Sequence, residues 1–156
     1  MTQEIQSAAN NYRLYVSLLN EVPDEDLVWK QENVVFSAAA LRDEFEQGST
    51  VAEHYARTIL HNALEGLFRP TKLELPSMGE LDLTVWPGGT FIEQFRRLPP
   101  ETPVWRTMSW TFTAGEMPGR IEALDADAMT LLSDVMRITR DRFRREFRRP
   151  QAPQQA

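Results

Sequence analysis

Two histidines are the only side chains of this chain whose ordinary pKa lies near neutrality, and they stand seven residues apart, at His54 and His61. On a helix they share nearly the same angular face. Their backbones are nevertheless separated by about 10.5 Å along the axis, too far for one ion held by nitrogen bonds of about 2.0–2.1 Å. His61 and Glu65 have the i, i+4 spacing of a metal pair, but two ligands do not make a site and the same spacing makes an ordinary surface pair. Cysteine is absent, which removes thiol nucleophiles, thiolate metal sites and disulfides. The twenty-three acids offer no His-Asp-Ser order and no carboxylate pair distinguished by its spacing. Pro87-Gly88-Gly89-Thr90 precedes a helix start, where free N–H groups can hold a phosphate. It lacks the lysine and glycine spacing of a phosphate-binding loop, so a turn followed by a cap is expected. The residues supply no catalytic set, and neither a cofactor nor a metal is expected.

Arginine is the less ordinary feature. Seven of the fifteen arginines fall between Arg137 and Arg149. On a helix, Ala128, Met129, Leu132, Met136, Phe143 and Phe147 line one face, while Arg137, Arg140, Arg144, Arg145 and Arg148 centre on the opposite one. A guanidinium fork suits phosphates and carboxylates alike, so these five are the candidate partner-binding residues. Asp134 and Asp141 stand among them at i, i+3 and i, i+4 spacings, and cations near a helix C-terminus offset its dipole, so pairing within the helix explains much of the cluster. Charge is unevenly distributed, with eleven acids against four bases in residues 1–66 and five acids against seven bases in residues 125–156. Such ends can attract each other, a second copy or a charged partner. Nucleic acid is the less favoured partner, because the chain has a pI near 5.0 where a dedicated binder usually exceeds about 9.

These residues need elements to hold them. Ile5, Ala9, Tyr12, Val16 and Leu19 predict a helix from Thr2 to about Asn20. Leu27-Val28-Trp29 and Val34-Val35-Phe36 are short apolar runs compatible with strands. Ser37 can cap a short helix that Gly48 ends. Thr50 with Glu53 reads as a capping box opening a helix whose stripe runs from Ala52 to Leu67. After Pro70, Leu73, Leu75, Leu81, Leu83 and Val85 alternate with polar residues around Pro76-Ser77-Met78-Gly79 and predict a β-hairpin. Thr90 with Glu93 reads as a second capping box, and alternation from Val104 to Thr113 predicts one strand. Asp125 can cap a final helix reaching about Arg149, with Leu124 and Met129 spaced as a hydrophobic staple. Trp86, Trp105 and Trp110, with Phe91 and Phe112, can line a ligand cavity or simply fill a core.

The order of elements predicts a single α+β domain over residues 1–149, with an antiparallel sheet of about three to four strands packed against N-terminal helices and a long C-terminal helix. Residues 150–156 are expected to form a disordered tail. No segment approaches the roughly 20 apolar residues that cross a bilayer, and Met1-Thr2-Gln3-Glu4 does not open a secretion signal, so a cytoplasmic location without membrane contact is expected. The leading functional expectation is a non-catalytic interaction protein, of the accessory or chaperone-like kind, that binds another protein through helical faces and can form a homodimer. A nucleic-acid-binding or regulatory protein using the arginine face is the alternative, and a small-molecule-binding cavity protein or enzyme the third.

Overall fold

The computed structural model describes residues 12–148. The first turns of the expected N-terminal helix and the tail expected from residue 150 lie outside the described residues. Helix α1 covers residues 12–20. Strands β1 (Leu27–Gln31) and β2 (Val34–Ser37) pair antiparallel as a hairpin, with Lys30 opposite Val35. Val28 and Trp29 point into the core from β1. Ser37 then caps α2 (Ala38–Gln47) by accepting from the Ala40 N–H, and Gly48 closes it at φ 63°, as its position in the sequence requires.

Gly48 hands the chain to Ser49 in an extended conformation, and Ser49 caps α3 (Thr50–Phe68) by accepting from the Ala52 N–H. The expected Thr50–Glu53 capping box is therefore corrected by one residue: the left-handed turn at Gly48 leaves Thr50 already helical. The stripe of α3 is buried as expected, through Ala52, Tyr55, Ala56, Ile59, Leu60, Ala63 and Leu64.

The hairpin expected over Leu73–Val85 is absent. The segment is irregular, with one 3-10 turn at Met78–Glu80, although Leu81 is buried and Leu73, Leu75 and Leu83 pack against the core. Its carbonyls find other donors. Arg57 on α3 donates to Met78 and Leu81, and Arg97 donates to Glu74 at 2.8 Å. Two guanidiniums thus replace the ladder that a neighbouring strand would supply.

Helix α4 (Pro87–Arg96) starts three residues before the expected Thr90 cap, with proline in its first turn, where the missing N–H costs nothing. Thr90 is consequently inside the helix and buried. The single strand expected from Val104 to Thr113 is instead a hairpin of β3 (Pro103–Arg106) and β4 (Thr111–Thr113). Its turn is made by Thr107, whose N–H donates to the Trp110 carbonyl and whose hydroxyl accepts from the N–H groups of Ser109 and Trp110. Helix α5 (Met117–Glu122) carries Pro118 and Gly119, which read as turn residues in the sequence. Helix α6 (Ala126–Arg148) is capped by Asp125, which accepts from Asp127 and Ala128.

The fold is α+β, with four strands in two separate antiparallel pairs and a long C-terminal helix among the described residues. Helix α6 packs on α3 and β1, and α4 packs on α5. Rings tie these elements together. Trp29 meets Tyr55 and Phe143 edge-on, joining β1, α3 and α6, while Phe68 meets Phe91 and Phe95, joining α3 to α4. Among the described residues, the Tyr15 hydroxyl is the one buried side-chain polar atom without a hydrogen bond. Burial raises the pKa of this phenol, so the group stays neutral and unpaired. Tyr15→Phe keeps the ring stacked on Phe45 and removes an unsatisfied hydroxyl. It is expected to raise stability by about 1 kcal/mol, read as an upward shift of the urea midpoint with an unchanged slope.

Candidate interaction site

The arginines of α6 are mostly occupied within the protein. Arg137 pairs with Asp134 at 2.6 Å. Arg144 donates through Nε to Asp26 at 2.9 Å, binding α6 to the start of the β1–β2 hairpin. Arg145 donates to the Asp141 carbonyl. Arg148 ends the helix. Arg140 lies off the solvent face on which the helical pattern places it. It is 4% exposed, bonded to the Asp141 carboxylate through Nε at 3.0 Å, and donates through Nη1 to the Leu18 carbonyl at 2.5 Å. The reason lies in α1: the last carbonyls of a helix have no partner within it. Leu18 receives Arg140 and Leu19 receives Arg42, so two guanidiniums close the C-terminal end of α1, where cations also oppose its dipole.

Arg142, outside the expected set, is exposed and makes no hydrogen bond or ion pair among the described residues. It borders a groove between α3 and α6 that consists of two adjoining hollows of about 380 and 340 Å³, sharing Asn62, Gly66, Thr139 and Arg142. One hollow is largely apolar, lined by Ala63, Leu67, Val104, Val135 and Ile138. The other is mixed and carries charge, with Glu65, Arg69 and Glu146 around Pro70 and Phe143. Gly66 lets the groove approach the α3 backbone, since a Cβ there would meet no atom within 4 Å. Position 142 follows 138 by one turn of α6, which aligns the guanidinium with the exposed Ile138.

The histidines remain apart. His54 is exposed with its ring 5.6 Å from that of Trp29, and His61 is half-buried. Among the described residues no three His, Asp or Glu side chains gather into a metal-binding group. The tryptophans do not surround one cavity: Trp105 stacks on Phe112, Trp110 is 57% exposed, and Trp86 lies across Gly88. A second cleft, between α4 and the 74–85 segment, carries four carboxylates. Hydrogen bonds from the Ser77 backbone hold the Glu80 carboxyl below its ordinary pKa, and those from the Thr84 hydroxyl and N–H do the same for Asp82. At Asp125 partial desolvation pushes upward, but the N–H groups of Asp127 and Ala128 and the Arg120 guanidinium outweigh it and lower the pKa.

Each of these carboxyls binds its proton less readily folded than unfolded. Their contribution to stability is therefore complete above the ordinary carboxylate range near pH 4 and is lost as pH falls through the lower folded values. Melting temperature is expected to fall progressively below about pH 4, and Asp125→Asn to flatten that decline; equal slopes for variant and parent protein would contradict the assignment. Among the described residues no helix is long and apolar enough to cross a membrane. No protein family, curated protein or solved structure matches this chain.

Proposed function

We propose that this protein is a cytoplasmic, non-catalytic interaction factor that holds an amphipathic helical segment of a partner protein in the groove between α3 and α6. The observation that carries this reading is Ile138, which is 53% exposed and shares the apolar hollow with Leu67, Val104 and Val135. An open apolar groove between helices is the surface that helix-in-groove recognition uses, because the incoming apolar face covers side chains the fold leaves wet. Arg142 supplies the orientation. Its fork is unengaged and borders both hollows, so the segment must carry a carboxylate about one turn from its apolar anchors. A nucleic-acid partner is less well supported, since Arg137, Arg140, Arg144 and Arg145 already bond to aspartates or a backbone carbonyl.

The test places a photo-crosslinking amino acid at position 138 in the producing cell and, as a control, at the exposed Glu101. One discrete adduct at 138, absent at 101 and lost on Arg142→Glu, is expected. Adducts of equal yield at both positions, or none at 138, refute the groove reading. An adduct with a second copy of the chain would replace the heterologous partner by a homodimer.

A further inference from the structure

The cleft between α4 and the 74–85 segment has a volume of about 460 Å³, within the roughly 300–1,000 Å³ of small-molecule sites. Glu74, Glu80, Asp82 and Glu93 line it against a single guanidinium, Arg97. Arg97 is held by the Glu74 carbonyl and by Gln94 Oε1, and Glu80 and Asp82 accept from Ser77 and Thr84. Glu74 and Glu93 are exposed and their carboxylates have no partner among the described residues. An acidic rim alone is a solvated surface, but the floor adds a second observation. Thr90 and Gln94 line the cleft at 8% and 4% exposure. The Thr90 hydroxyl makes no hydrogen bond among the described residues, and Gln94 Oε1 keeps a second lone pair beyond the one Arg97 uses. The Thr90 hydroxyl is not sealed off, since the Tyr15 phenol is the one enclosed and unpartnered side-chain polar atom among the described residues; on a side chain so largely covered, it is met by whatever occupies the cleft, water or a ligand's donor.

We propose that this cleft binds a linear di- or polyamine, its ammonium groups paired with Glu74 and Glu93 and one N–H donated to the Thr90 hydroxyl. A compact divalent ion fits poorly, because it needs several oxygens converging on one point, and no three carboxylates here are grouped in that way. An extended cation matches carboxylates spread along a rim. Its methylene chain also suits the apolar wall given by Leu75 and Val85. This site is separate from the α3–α6 groove and does not depend on it.

Isothermal titration calorimetry of the full chain with spermidine, at constant ionic strength, tests the assignment. Saturable one-to-one binding is expected, weakened at least about tenfold by the double substitution Glu74→Gln, Glu93→Gln and several-fold by Thr90→Val. Both glutamates are exposed, so the double variant stays folded, which circular dichroism verifies; should Thr90→Val unfold, Thr90→Ala replaces it. Heats that follow ionic strength alone, equal competition by magnesium at matched ionic strength, or a double variant that binds like the parent protein would overturn the proposal.

Discussion

Arg140→Ala lowers stability by about 3–5 kcal/mol, the cost of removing one member of a buried charged network. The substitution leaves the Leu18 carbonyl without its guanidinium and the Asp141 carboxylate without its closest cation, and it opens a void where the arginine stem packed. Glu21, whose carboxylate lies 3.9 Å from Arg140, gives no replacement because it has no donor. At about 2–4 °C per kcal/mol for a chain of this size, the melting temperature falls by roughly 6–20 °C. Arg137→Ala is the contrast. That arginine is half-exposed and pairs with Asp134 three residues earlier, so its loss costs no more than about 0.5 kcal/mol. Thermal melts of the two variants distinguish a structural cation from a surface one; equal losses would mean that burial of Arg140 is not what matters.

Trp29→Ala is expected to cost a similar 3–5 kcal/mol, by the mechanism of a large ring removed from a packed interior. Trp29 is 6% exposed, and its ring lies 5.3 Å from Tyr55, 5.4 Å from Phe143 and 5.6 Å from His54. The first two contacts are edge-to-face, each worth roughly 0.5–1.5 kcal/mol beyond the area buried. Loss of this ring removes a tie between the β1–β2 hairpin and both α3 and α6, leaving the buried Val28 and the Arg144–Asp26 pair to hold it. Trp29→Phe keeps an aromatic edge and loses less than half as much, measured by chemical denaturation. A Trp29→Phe variant as unstable as Trp29→Ala would show that the indole's size, rather than ring geometry, holds the hairpin.

The helices were legible where their signals are local. The apolar stripe of α3, the Ser37 and Asp125 caps and the closing Gly48 each depend on residues within one or two turns, and the structure has them. Segments whose hydrogen bonds come from afar were not legible. Alternating leucines over 73–85 fit an irregular wall as well as a strand, and the deciding donors, Arg57 and Arg97, lie on other elements. Helix α5 was hidden because proline costs nothing in a first turn, so Pro118 and Gly119 read as punctuation. Thr107 made a turn without the glycine or asparagine that normally marks one. The arginine face was legible only in part. A helical wheel separates Arg140 from Phe143 but has no knowledge of where α1 ends, and that end draws Arg140 inward while leaving Arg142 at the groove. The amine cleft was invisible for the same reason, since its rim and floor come from two segments that periodicity does not relate.

The contacts Arg140–Leu18 and Arg144–Asp26 join residues 122 and 118 apart in sequence, and this has a bearing on biosynthesis. As the nascent chain leaves the ribosome, α2 and α3 bring Arg42 to Leu19 and Tyr55 to Trp29, but the Leu18 carbonyl and the Phe143 side of the Trp29 ring have no cover until α6 emerges. All the elements from α1 to α6 must be made before Leu18 and Asp26 gain these partners, so the loop-closure cost is met late and that side of α1 and of the β1–β2 hairpin is exposed to chaperones and proteases in the meantime.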